Sequence, residues 1–399
     1  HHYGFQNPNA DRDSLAQRFQ QIGFSSKYQS HKKDSAELNY TIGLDYYNYF
    51  DKKPSDSLSK WRARENYFAI NSDWRYKMKT EVFNLGFNVK YNNYQYGEEN
   101  KFISALDTGI VNSNLIFQLK PTVTTYGLKD KFSAKFGFDI TLDSQNDVKA
   151  HFYPVAEAKY SLLNDLFIPY AGVKGGLNQN TYASLTRVNE FLLSNVQLDN
   201  ESEALNAYFG IKGTLSKRIG FNAFIAFSNN KNKALFINDT TYSGGNEFAV
   251  IYDTINITNI QASVSYQHNE KLKIDAIGKF YSFQAKNNPY AWNLPNLEID
   301  LVAKYNLFDK FLFKLALNGQ SGRKALVYDK TLEDVIEEDG VYAMPLGLIV
   351  DANLGVEYRY NQRISAFVNI NNIAAQRYNR WYNYPVQGFQ LMGGFTFRF

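Results

Sequence analysis

Residues 132–143 read FSAKFGFDITLD, and their side chains alternate without a break. Phe132, Ala134, Phe136, Phe138, Ile140 and Leu142 fall on one side, and Ser133, Lys135, Gly137, Asp139, Thr141 and Asp143 on the other. A period of two puts successive side chains on opposite faces of a strand, which rules out an amphipathic helix here. The same alternation runs through LNYTIGLDYYNY (38–49), LNAYFGIKGTLS (205–216) and LGLIVDANLGVEYRY (346–360). Ordinary globular strands are about five or six residues long. A strand tilted across a bilayer needs roughly 9–11. Soluble sandwiches also alternate, so length is the property that points to a membrane-crossing sheet.

Composition supports that direction. The chain holds 31 Phe and 30 Tyr, residue types favoured in strands and in the aromatic girdles of membrane barrels. Mean hydropathy is −0.43, and no apolar run approaches the ~18 residues of a spanning helix. That test leaves a strand-built barrel untouched. Cysteine is absent, which excludes disulfides, thiolate metal sites and a Cys nucleophile. The formal charge of +4 is spread along the chain rather than gathered in a block, which argues against nucleic acid as a partner. The opening HHYGFQNPNADRD carries no signal-peptide pattern and reads as the interior of a longer chain. His1 and His2 also fit a tag remnant.

The connections sort into two kinds. Short polar turns are expected at SHKKDSA, RYKMKT, GLKDKF, LLNDLF, LSKRIG, QHNEKL, NLFDKF and RYNQRI. Longer loops fall between them, at about 50–62, 96–108, 179–202, 237–246, 286–297, 329–345 and 374–388. DSQNDV is short where a long loop is expected. Short turns at one end and long loops at the other are the layout of outer-membrane barrels, with the short turns periplasmic. The pattern predicts one domain over 1–399, all-β: a large antiparallel transmembrane β-barrel of the outer-membrane type. About seventeen long strands follow residue 17, and HHYGFQN reads as the outer end of an eighteenth. Bacterial single-chain barrels have even strand numbers, so the odd count is a second sign that the beginning of the chain is missing.

The C-terminal residues carry a resemblance. NINNIAAQRYNRWYNYPVQGFQLMGGFTFRF (369–399) resembles the end of TonB-dependent receptor barrels, particularly those of Bacteroidota. Asn371-Asn372, Arg377-Tyr378, Tyr384-Pro385 and Phe399 stand at the positions of the family's Asn-Asn pair, Lys/Arg-Tyr segment, Tyr-Pro loop and terminal Phe. LPNLEIDLVAKYNLFDKFLFKLALNGQSGRKAL (294–326) is similar to the preceding strands of such barrels. The resemblance covers roughly the last hundred residues. It implies import of a ligand too large for porins. It also implies an N-terminal plug and TonB box within a barrel of about 22 strands. No plug is visible in this sequence. Either plug and first strands are missing, with TonB as partner, or the protein is a plugless relative.

Candidate site residues follow. The histidines, His1, His2, His31, His151 and His268, lie in no G-x-S-x-G or H-E-x-x-H context, so no enzyme is expected. The loop DKTLEDVIEEDG (329–340) offers Asp334, Glu337, Glu338 and Asp339 as ligands for Ca²⁺, although the spacing fits no EF-hand and a solvated extracellular loop explains the charge better. Interspersed charges on the polar faces, among them Lys273, Lys279, Lys314, Asp351 and Glu357, predict cross-strand ion-pair ladders. In RYNRWYNYP, Arg377, Tyr378, Arg380, Trp381, Tyr382 and Tyr384 are candidates for gripping a ligand or a partner lipoprotein, or for an interface girdle. Tyr358, Tyr360, Phe397 and Phe399 are expected in the periplasmic girdle, with Phe395 also facing lipid. The terminal Phe resembles the signal read by the barrel-assembly machinery.

Two functions stand at this point. One is a receptor-like barrel that imports a nutrient through ligand-gripping outer loops. The other is a plugless barrel serving as a structural or accessory subunit of a larger outer-membrane complex. A passive porin and a soluble adhesin are the more remote readings. Partners expected in either case are outer-membrane lipid and lipopolysaccharide, the barrel-assembly machinery, and a surface lipoprotein or other outer-membrane subunits.

Overall fold

The computed structural model of the protein describes residues 18–30, 38–52, 61–98, 110–241, 243, 245–338 and 340–398. His1, His2, His31, Asp339, Phe399 and the opening segment HHYGFQN lie outside the described residues. Among the described residues seventeen strands belong to one sheet, in line with the roughly seventeen expected from the alternation after residue 17. The chain divides into two compact units: the described residues of His1–Ala158, Val173–Asn206 and Asn229–Thr254 form the first, and Lys159–Gly172, Ala207–Ser228 and Ile255–Phe399 the second.

The early strands are β1 (Arg18–Gln29), β2 (Leu38–Lys52), β3 (Trp61–Met78), β4 (Glu81–Glu98), β5 (Ile110–Gly127), β6 (Phe132–Asp143), β7 (Lys149–Tyr160) and β8 (Ile168–Asn178). A short helix, α1 (Tyr182–Val188), precedes β9 (Glu201–Ser216), β10 (Ile219–Asp239) and β11 (Glu247–His268). Within the first unit β1 to β6 pair antiparallel in chain order. Their register lines up Phe24, Tyr46, Phe68, Tyr91 and Leu115 in one row across five strands. All five are exposed, from 41% to 65%. The opposite face is polar and buried: Asp51 and Glu65 are 0% exposed, Asn92 1% and Asn114 2%. A sheet that exposes its apolar face and buries its polar one is inverted relative to a water-soluble fold, and a lipid environment is what reconciles it.

The second unit repeats the plan. It contains β12 (Leu272–Ala285), β13 (Leu297–Leu307), β14 (Phe311–Ser321), then β15 (Lys324–Val327), β16 (Ile336–Glu338) and β17 (Val341–Pro345). β18 (Ile349–Arg359), β19 (Ile364–Asn371), β20 (Asn379–Trp381), β21 (Tyr384–Pro385) and β22 (Gln390–Phe397) complete it. The main sheet runs β11–β12–β13–β14–β18–β19–β22, all antiparallel. One register row reads Tyr266, Ile274, Ala303, Leu315, Leu354, Ile370, Leu391 across seven strands. Nearer the turns, Phe311, Tyr358, Ala366 and Phe395 form another, and the Phe311 and Tyr358 rings lie 4.9 Å apart. β15, β17 and β16 make a small separate sheet, and β20 pairs with β21.

The described short connections are turns, as the sequence predicts, while SHKKDSA lies beyond Ser30 outside the described residues. Lys79, Leu128–Asp130, Leu163–Asp165, Asn269 and Phe308–Asp309 take positive φ, the conformation that lets strands reverse direction within a few residues. One interior glycine is held by close packing. Gly137 on β6 is opposite Thr122 on β5, and a Cβ there would lie 2.3 Å from the Pro121 carbonyl oxygen. Gly137→Ala is therefore expected to force β5 and β6 apart at a cost of about 1–3 kcal/mol. The check is a lowered unfolding midpoint in heat-dependent gel migration, with wild-type behaviour counting against the contact.

Candidate functional site

The segment from Gln179 to Asn200 is expected from sequence to be a long outer loop. Its apolar content is too high for a solvated one: Tyr182, Leu185, Leu192, Leu193, Val196 and Leu198 are all at most 5% exposed. They pack within the first unit, over the polar face whose buried Asp51, Glu65 and Asn92 were described above. The segment is a strap folded onto the sheet.

Local sequence sets its helical start. Thr181 caps α1, its side chain accepting from the Ser184 amide at 3.0 Å, while the Thr181 amide donates to Ser184 Oγ at 2.9 Å. This reciprocal box satisfies amide groups that the first helical turn leaves free. Two further amides turn to the sheet. Tyr182 and Ala183 donate to the Glu65 carboxyl at 2.5 and 3.2 Å. Glu65 also accepts from the Tyr47 hydroxyl at 3.0 Å and from Asn92 Nδ2 at 3.3 Å. Its register neighbours are Tyr49 and Tyr94, so the carboxyl lies between β2, β4 and the helix. A fully buried carboxyl is costly unless donors surround it. Here four do.

Other fastenings run along the strap. The Tyr182 hydroxyl donates to Asp51 at 2.7 Å, and its ring stacks on Tyr94 with centroids 5.1 Å apart. The Tyr94 hydroxyl donates to the Ser194 carbonyl. The Leu193 amide bonds the Phe248 carbonyl, and the Phe248 amide the Phe191 carbonyl, both at 2.9 Å, which adds one parallel bridge to the start of β11. Gln145 holds the Leu198 carbonyl at 2.8 Å, and Asn200 donates to Asp143 at 2.9 Å. Burial pushes the Asp199 carboxyl above its usual range, opposed by the Asn200 amide.

The sequence-predicted residues are placed differently. In the hairpin of β20 and β21, Trp381 and Tyr384 are buried, at 7% and 6%. Arg377 and Arg380 are exposed, and Tyr378 and Tyr382 half-buried. A residue outside the expected set holds this hairpin: Arg323, 5% exposed, donates to the carbonyls of Arg380 at 2.7 Å, Asn379 at 2.9 Å and Leu346 at 3.2 Å. Burial lowers the guanidinium's affinity for its proton. Asp334, Glu337 and Glu338 are exposed, and the neighbours Glu337 and Glu338 lie on the three-residue β16, where successive side chains point to opposite faces. Among the described residues no group of three or more His, Asp and Glu comes together as a metal site. Tyr358, Tyr360, Phe395 and Phe397 are exposed, at 36%, 66%, 86% and 56%. His151 lies 3.9 Å from Asp143, and His268 stacks beside Tyr266.

Glu65 and the strap were missed because the polar face of a strand gives no sign of which charge is covered. The sequence signal that could have found the strap is FLLSNVQL, an apolar run inside an otherwise polar loop.

No protein-family model matches the chain, and no curated protein matches it in sequence. Solved structures do. The fold is similar to that of the copper transporter OprC, with TM-score 0.65 and 11% identity over 95% of this chain and 65% of that one. It is similar to the pyoverdine outer membrane receptor FpvA from Pseudomonas aeruginosa PAO1, solved bound to pyoverdine, with TM-score 0.66 and 12% identity over 96% and 62%. It is also similar to the siderophore receptor PirA from Acinetobacter baumannii, with TM-score 0.65 and 13% identity over 96% and 63%. The chain thus spans less than two thirds of the length of each of these structures. The fold class is a large antiparallel transmembrane β-barrel of the outer-membrane type, and the protein is a multi-pass barrel of the bacterial outer membrane.

Glu65→Ala removes both acceptors of the α1 amides and leaves buried donors unmatched, a loss of about 3 kcal/mol. The strap is expected to detach locally while the barrel persists. Trypsin cleavage after the exposed Arg187 should then quicken about a hundredfold, the local-opening equivalent of that loss. An unchanged cleavage rate in a folded Glu65→Ala protein would show that the carboxyl does not hold the strap.

Proposed function

We propose that the protein is an outer-membrane receptor that imports a nutrient or other ligand too large to pass porins. The observation that carries the reading is the fold likeness over 94–96% of the chain to solved outer-membrane transporters and receptors. The strap supports it, because a polar face covered by a bonded segment suits a gated path better than a permanently open pore. The C-terminal resemblance to TonB-dependent receptors adds an expected energy source, TonB, acting through a plug. In this reading the side chains of Arg377, Tyr378, Arg380 and Tyr382 meet the ligand at the outer surface, while buried Trp381 and Tyr384, with Arg323 beneath them, stiffen the hairpin that presents them.

The product of the complete gene, reconstituted in planar lipid bilayers, is expected to show no steady ohmic conductance above the lipid baseline. Cells producing it should accumulate a ligand from a panel of copper salts and ferric chelates, and an uncoupler should abolish that uptake. A stable open channel, or uptake insensitive to the uncoupler, would overturn gated import in favour of passive diffusion.

A further inference from the structure

The polar face of the second unit holds an unexpected row of like charges. Lys273 on β12 is directly opposite Lys304 on β13, which is directly opposite Lys314 on β14. Adjacent strands are about 4.8 Å apart, and like charges directly opposed destabilise a sheet. The row therefore needs anions, and the wall does not supply enough of them. Asp275, one rung toward the loops and diagonal to Lys304, is shared: it pairs with Lys273 at 3.2 Å, takes the Ser265 hydroxyl at 2.7 Å and also attracts Lys304 from beyond ion-pair distance. Glu357, one rung toward the turns, is taken by Arg359 at 3.1 Å. The rungs flanking Lys304 and Lys314 on their own strands are apolar or neutral: Val302 and Ala316 on one side, Asn306 and Leu312 on the other. Among the described residues neither Lys304 nor Lys314 has a carboxylate at ion-pair distance.

This contrasts with the rest of the same face. Lys279 and Glu298, directly opposite each other on β12 and β13, pair at 2.9 Å, and Asp300 accepts from Asn318 at 2.6 Å. Lys279 there has a carboxylate partner, and Asp300 a neutral amide donor. The unmatched lysines line a cavity of about 750 Å³ at the turn end of the unit. Its basic side chains, including Lys271, outnumber its carboxylates, Glu270 and Glu357. Gly355 is opposite Lys314 and carries no side chain to fill the space, and a Cβ there would already meet Asn369 Oδ1 at 2.9 Å. Phe367 gives the cavity an apolar shelf on the next rung.

We infer that this row is a binding site for a small polyanion carrying at least two oxyanion groups, phosphate or carboxylate, which bridge Lys304 and Lys314. An ammonium is a compact point charge with three donors, suited to oxyanions without requiring one planar geometry. One group of the ligand meets both neighbouring lysines, and a second reaches Lys273 or Lys271. The inference does not rest on the transport reading.

The test is calorimetric titration of inorganic pyrophosphate, and separately of succinate, into the detergent-solubilised protein at low salt. At least one is expected to bind, more weakly as salt is raised. Preference for pyrophosphate assigns the site to phosphates, and preference for succinate to carboxylates. Lys304→Gln with Lys314→Gln should weaken binding at least about tenfold, the scale of one lost charge-assisted contact. Lys304→Arg with Lys314→Arg should retain binding. Without anion the double Gln protein should unfold at a higher temperature than wild type, because like-charge repulsion is relieved. Absence of binding by wild type to both anions overturns the proposal, as does undiminished binding by the double Gln protein.

Discussion

Everything in this protein follows from one constraint: a backbone in hydrocarbon must satisfy its own hydrogen bonds. Long antiparallel ladders do so, and each strand then has two faces with different solvents. The rows Phe24–Tyr46–Phe68–Tyr91–Leu115 and Tyr266–Ile274–Ala303–Leu315–Leu354–Ile370–Leu391 are the lipid side of that arrangement. Polar side chains are thereby confined to the other face, where they become available for chemistry and for holding further chain.

The first unit uses its polar face to hold the strap. Glu65 concentrates donors from two strands and a helix start on one carboxyl. Buried polar groups are tolerable only when paired, and the same requirement makes the arrangement specific. Tyr94 on Ser194, Tyr182 on Asp51, Gln145 on Leu198 and Asn200 on Asp143 each fix a different point along the segment. A loop held at this many places is part of the wall rather than a mobile surface feature. In the second unit, Arg323 plays the corresponding part for the β20–β21 hairpin by binding three carbonyls at once.

The two units differ in how they treat charge. The first buries its carboxyls among amides, hydroxyls and Asn side chains. The second pairs Lys279 with Glu298 yet leaves Lys304 and Lys314 facing an open cavity. That difference is invisible to a count of charges, because both units draw on the same interspersed lysines and acids.

The sequence by itself determined the strands, their long span, the exposed aromatic face and the positions of the short turns. Period-two alternation is a local property, and strands such as β6 and β18 carry it in their own residues. It also determined which residues share a face, so Lys135, Asp139 and Lys314 could be assigned to the polar side. Only the tertiary structure decided which polar residues meet. Glu65 and Ala183 are 118 positions apart. Trp381 and Tyr384 looked like free ligand-binding rings until Arg323, 57 positions before Arg380, was seen to hold their hairpin. The three lysines likewise sit at unremarkable places in their own strands. Register between strands sets them opposite one another, and register depends on turn geometry and on all the cross-strand pairs together.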